Sequence, residues 1–194
     1  MKVGLLALVA SALWLLSAPA QPALATGETS QMHSLYVEDQ RDRDKSVRSI
    51  DWVAVDKADT ERRAKTRSLL AKGELKSGQD FEEAAFVFQH GETSDDILLA
   101  HTLAVVAVSK GRQKASWIAC ATLDRYLLQI GKAQVYGTQF QSKIQGVPKP
   151  AVTQDPYDRN LISDSLRQQL GVPVLEAQES ERLKLQLELS TATQ

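Results

Sequence analysis

GETSDDILLAHTLAVVAVSKG, residues 91–111, decides the class of fold. Ser94 precedes Asp95 and Asp96, so a capping side chain and two carboxylates stand where a helix leaves amides unpaired and its dipole favours negative charge. No Gly or Pro interrupts the chain from there to Lys110. Ile97, Leu98, Ala104, Val105 and Val108 share a stripe with His101, and that stripe is expected to face the core. Gly111 then supplies the C′ residue that ends the helix.

The same signals recur on both sides. Asp80 is placed to cap a helix through Gln89, with Phe81, Ala84, Ala85 and Phe88 at spacings of three and four. A third helix is expected from near Gln113 to about Ile130. Gly91, Gly111 and Gly131 stand twenty apart, each just past a helical run. The expected fold is therefore mainly α, with antiparallel, repeat-like helical hairpins. Their packing resembles a tetratricopeptide or Sel1-type pair in outline, although the tetratricopeptide consensus is absent.

Upstream, a charged helix is expected from Lys57 to Lys72, ended by Gly73. Before it, residues 35–57 hold a mixed-charge stretch compatible with a short helix. Ile50, Trp52, Val53 and Val55 form a small apolar cluster expected to dock this arm. Downstream, Gly137, Gly146, Pro148, Pro150 and Pro156 exclude a long helix over 132–157. Residues 135–140 are expected as a short strand pairing near Val152 in an irregular hairpin. Asp158 is expected to cap a helix from Arg159 to Leu170, and Pro173 to open a last one reaching about Leu187.

Residues 1–25 have the design of a secretory signal peptide. Met1-Lys2 is a short basic start, Val3–Leu16 is apolar, and Ala23-Leu24-Ala25 is a small-residue cleavage site. The apolar run is shorter than the roughly 20 residues of a membrane span. Export with cleavage after Ala25 is expected, to a periplasmic or secreted location, with an uncleaved N-terminal anchor as the alternative. The organisation is then a signal peptide over 1–25, an N-terminal arm over 26–57, one helical domain over 58–189 and a frayed tail over 190–194. Cleavage removes only Lys2 among charged residues, leaving 22 basic against 24 acidic side chains. That balance argues against a nucleic-acid or anionic-membrane partner. A single cysteine, Cys120, excludes an intramolecular disulfide, so the core must stabilise the domain.

Several polar residues sit where the pattern calls for apolar ones. Buried polar groups cost free energy unless paired, so His90, His101, Asp124, Arg125, Gln134 and Gln139 each need a partner or a purpose. His90, at a helix end, either serves the last carbonyls or acts as a site histidine. His101 is expected to be a satisfied core histidine. Asp124 and Arg125 are adjacent on an otherwise apolar helix, so they point about 100° apart and need separate partners. A network pinning the 131–140 loop is one reading, and a ligand pocket floored by the pair is the other. Cys120 has apolar neighbours and is expected in the core. No His-Glu-x-x-His spacing or Cys/His cluster points to a metal, and no phosphate-cradling loop points to a nucleotide cofactor.

Together these motifs resemble an uncharacterised bacterial family of mainly helical domains. The matching pieces are Asp39-Gln40-Arg41-Asp42-Arg43, Asp56, Gln89-His90-Gly91-Glu92, Asp124-Arg125, the Gly131–Gln139 segment GKAQVYGTQ, and Asp164 with Arg167 and Leu170-Gly171-Val172. The likeness spans roughly residues 35–185. Gly91-Glu92 stands where that family carries Ala-Asp, and Gly73-Glu74-Leu75 where it often has Gly-Trp-Pro. The resemblance implies a helical domain and no particular reaction.

Two functions fit the sequence. One is an exported binding or scaffold domain for a protein, a peptide or a small polar ligand, contacted through Gln89, Arg125, Gln134, Tyr136, Thr138 and Gln139. The other is a hydrolase-type enzyme in which His90 is the general base, Asp124 orients it, and Arg125, Gln134 and Gln139 hold the substrate. Neither calls for a cofactor.

Overall fold

The computed structural model of the protein describes residues 30–44, 49–143 and 151–192. The expected signal peptide, the start of the arm and the last two residues of the tail lie outside them. The described elements are α1 (Gln31–Arg43), α2 (Trp52–Ala71), α3 (Gly78–Phe88), α4 (Ser94–Ser109), α5 (Ala115–Gln129), β1 (Gln141–Lys143), β2 (Ala151–Thr153), α6 (Asp164–Gln169) and α7 (Leu175–Ala192). The fold is mainly α.

Helix starts follow capping chemistry, often one to three residues from the expected place. Ser77, not Asp80, caps α3: its side chain accepts from the Asp80 amide while Asp80 reaches back to the Ser77 amide. This reciprocal capping box satisfies two otherwise orphaned donors. Thr93 caps α4 by accepting from the Asp96 amide, which leaves Ser94 as the first helical residue. Gly111 and Gly131 take the positive φ expected of them, at 86° and 73°. Gly91 does not. It is glycine because a Cβ there would stand 2.2 Å from the Asp96 Cβ, so the α3–α4 turn is closed by contact.

The core lies where α4 packs against both α3 and α5. Ala84, Ala85, Ala100, Ala104, Ala107, Ala115 and Ala121 let the helices approach closely, and Phe88, Leu103 and Ile118 fill the space between them. The buried stripe of α4 is Ile97, Ala100, Leu103, Ala104 and Ala107, rotated from the expected one. Leu98 and Val105 are exposed. The arm is part of this body, because α1 contributes Met32 and Leu35 to the same core and packs on α3 and α2. Of the apolar cluster expected to dock it, only Val55 is buried; Val53 is 82% exposed and Trp52 39%.

The Gly/Pro region departs furthest from expectation. β1 and β2 pair antiparallel with Ser142 opposite Val152, so a hairpin forms near Val152. Its first strand starts at Gln141, because residues 135–139 are held in a loop. Asp158 does not cap a helix: its Oδ1 accepts from the Asn160 amide at 3.2 Å, a local turn that competes with helix formation. Ser163 caps the short α6 instead. The last helix runs past Leu187 to Ala192.

Leu35→Ala tests whether α1 is integral to the core. Removing a buried leucine should cost about 2–5 kcal/mol, seen in urea unfolding as one shifted transition. An early separate transition for α1, with the rest unchanged, would contradict this packing.

Candidate functional site

Asp124 and Arg125 leave α5 in different directions and meet different fates. Asp124 is fully buried, and both its oxygens are occupied by one loop. Oδ1 accepts from the Val135 amide at 2.7 Å and the Tyr136 amide at 3.0 Å. Oδ2 accepts from the Thr138 amide at 2.9 Å and the Thr138 hydroxyl at 2.8 Å. Three main-chain donors and a hydroxyl on one carboxylate are charge-assisted bonds, the stronger kind. The loop therefore wraps an anion supplied by the protein itself.

Glutamines extend this anchor outward. Gln134 Nε2 donates to the carbonyls of Gln139, at 2.9 Å, and Gln154, while its Oε1 accepts from the Gln139 amide at 3.0 Å. Gln139 Nε2 donates to the Ala121 carbonyl at 3.1 Å. Gln154 Nε2 reaches the Gly137 carbonyl, and Gln178 Nε2 on α7 reaches the Tyr136 carbonyl at 2.9 Å. Tyr157 hydroxyl bonds Gln178 and receives Arg167 Nη2 at 2.8 Å. Gly137 has φ +79° and a Cβ there would lie 2.1 Å from Gln178 Oε1, so its conformation and its contacts both require glycine. This network ties α5, the loop, β2, α6 and α7 together.

The second polar centre forms between α1, α2 and the α3–α4 turn. Asp39 is fully buried. Its Oδ1 accepts from Arg43 Nη1 at 2.9 Å, and its Oδ2 from Gln40 Nε2 at 2.8 Å. Arg43 also binds Asp59, whose Oδ1 accepts from Arg62 at 2.5 Å, and Arg62 reaches Asp42 at 2.7 Å. Arg63 Nη1 donates to the His90 carbonyl at 3.1 Å, which fixes the turn. His90 Nε2 stands 3.7 Å from Asp39 Oδ2, a close approach longer than a hydrogen bond.

Electrostatics here follow from burial. Desolvation pushes the Asp39 carboxyl up to about 6, against the opposing pull of Arg43. His90 is pushed well below the ordinary histidine range by burial, then by Arg43, Arg125, Arg62 and Arg63. It is therefore neutral at pH 7. Arg125 is drawn down to about 10, first by burial and then by Arg43. Its guanidinium makes neither an ion pair nor a hydrogen bond among the described residues. Partly buried, it lies near enough to disfavour the cation of His90 and to be repelled by Arg43.

The expected site residues thus divide. His90 and Arg125 belong to the α1–α2 centre, with Asp39 standing beside His90 where Asp124 was expected. Gln134, Tyr136, Thr138 and Gln139 belong to the loop anchor, where their bonding is internal. Gln89 is half-buried next to His90. His101 lies apart, its Nδ1 2.9 Å from the Ala119 carbonyl, a satisfied histidine. Burial pushes the Cys120 thiol up to about 12, so it is not a ready nucleophile. Asp56 is exposed. Sequence reasoning from the central helices missed Asp59 and Arg62. The spacings Asp39/Arg43 and Asp59/Arg62, one helical turn each, were the available signal. No group of three metal-ligating residues converges among the described residues.

No family model, curated protein or solved structure matches the chain.

Two measurements check this division. Asp124→Asn replaces an acceptor with a partial donor facing main-chain amides, and should cost about 2–4 kcal/mol through unsatisfied buried groups. It should also open the 131–140 loop to amide exchange; unchanged exchange there would refute the anchor. The second concerns pH. The unfolded chain protonates His90 near its ordinary value while the folded chain does not, so His90 lowers stability as pH falls below about 6.5. Asp39, with its folded value raised, acts oppositely between about 6 and 4. His90→Gln should therefore lose less stability than the parent between pH 7 and pH 5, in urea titrations at each pH. An equal or greater loss would contradict the neutral, buried His90.

Proposed function

We propose that this is an exported, periplasmic or secreted, binding domain whose ligand presents an anionic group to Arg125 and His90. The observation that supports it is Arg125 itself. A guanidinium repelled by Arg43 with no carboxylate partner carries a cost, and nearly every other described arginine in the fold has such a partner. A ligand oxygen held by this guanidinium and by the neutral His90 would remove that cost. Arginine's planar fork suits a carboxylate, sulfate or phosphate group. The export part of this reading rests on residues 1–25, and no helix among the described residues is long and apolar enough to cross a membrane.

The approach of His90 to Asp39 supports a second reading, a hydrolase in which neutral His90 takes a proton from water and Arg125 holds the substrate. It differs from the first in requiring His90 for turnover and not merely for affinity.

Thermal unfolding with millimolar sodium sulfate or acetate, against chloride at equal ionic strength, tests the binding reading. The expected result is a saturable rise in Tm for the parent, absent in Arg125→Met. An equal rise in both proteins would show general salt stabilisation and overturn it.

A further inference from the structure

A recess of about 350 Å³ opens where the end of β2, the turn at Arg159 and the first turns of α7 meet, lined by Gln154, Arg159, Leu175, Glu176, Gln178 and Glu179. Two of these, Gln154 and Gln178, belong to the Asp124-side network and are only 2% and 3% exposed. Gln178 offers the recess nothing. Its Nε2 is spent on the Tyr136 and Pro173 carbonyls, and its Oε1 on Gln154 Nε2 and the Tyr157 hydroxyl. Gln154 differs. Its Nε2 donates to the Gly137 carbonyl and to Gln178 Oε1, while its own Oε1 accepts no bond among the described residues and is not sealed from solvent. A nearly enclosed amide thus presents an unused acceptor to the recess.

Arg159 supplies the opposite chemistry. Its Nη1 donates to Asp155 at 2.8 Å, and its guanidinium lies over the Tyr157 ring, 4.6 Å from the centroid. The Tyr157 hydroxyl is itself fixed by Arg167 and Gln178. The fork is therefore held in place, with Nε and Nη2 finding no acceptor among the described residues. Glu176, exposed in the first turn of α7, has no ion-pair partner among them either. Glu179 is already closed on Arg182 by bonds of 2.8 and 2.6 Å.

An anion alone in this recess would meet the Glu176 carboxylate and the Gln154 oxygen. A cation alone would meet Arg159. A ligand carrying both charges leaves neither opposed, and a recess near the small end of ligand pockets requires those charges close together. We propose that this recess binds a small zwitterion, a free α-amino acid. Its ammonium donates to Gln154 Oε1 and Glu176, its carboxylate accepts from the Arg159 fork, and an apolar side chain of modest size rests on Leu175. The site is separate from the Arg125–His90 recess and does not depend on it.

Amide NMR titration of the protein at neutral pH tests this with three probes: L-alanine, N-acetyl-L-alanine as the anion alone, and L-alaninamide as the cation alone. Signals of the Gln154 side-chain amide and the Glu176 backbone amide should shift saturably with L-alanine. Each blocked probe should bind about tenfold or more weakly, since each loses one charge-assisted end. Arg159→Met should bring L-alanine down to the level of L-alaninamide, and Glu176→Gln should narrow the gap between L-alanine and N-acetyl-L-alanine. Both side chains are largely exposed, so both variants keep the fold. No saturable shift with L-alanine, equal binding of a blocked probe, or L-alanine binding unchanged in Arg159→Met would each overturn the site. Read at Gln154, the outcome is independent of whether an anion binds at Arg125.

Discussion

Burying a charge in this fold demands a partner, and α5 shows both outcomes on consecutive residues. Asp124 receives four donors from one loop and is satisfied inside the protein. Arg125, turned by one residue around the same helix, finds no acceptor among the described residues. The first fact organises the C-terminal half, because the loop on Asp124 is the platform on which Gln134, Gln154, Gln178, Tyr157 and Arg167 assemble. The second fact is the one on which the proposed binding function rests.

The two centres have different chemistry although they share a helix. Around Asp124 the bonds run largely to main chain, which fixes a shape. Around Asp39 the contacts are between charged side chains that share partners. Arg43 bridges Asp39 and Asp59, and Arg62 bridges Asp42 and Asp59. Such a shared network changes when one charge is added or removed, while the Asp124 anchor has no spare position to change. Burial then disfavours the cation of His90 and the anion of Asp39.

The fold was legible in the sequence because helix capping and apolar spacing are local. The region 78–130 reads correctly to within a few residues, with Ser77 and Thr93 displacing the expected caps since a side chain three residues back reaches the amide better. The α4 stripe was misplaced because Leu98 and Val105 are apolar yet exposed, and composition does not reveal which side a neighbour covers. The loop at 135–140 reads as a strand by its residues, and becomes a turn only through a carboxylate eleven to fourteen residues upstream. The site was half legible. His90 and Arg125 stood out as polar intrusions into apolar helices. Asp39 and Asp59 did not, because on charged helices an aspartate that ends buried looks like every solvated neighbour.

Nitrogen NMR of the side chains during a sulfate titration gives the most direct test of the central claim, that Arg125 and His90 form a receptor for an outside anion. The Arg125 Nε and His90 ring signals should shift together along one saturable curve, with Arg167, enclosed in the Asp124-side network, unmoved. Small, linear shifts spread evenly over exposed arginines, with Arg125 and His90 no different from the rest, would contradict it.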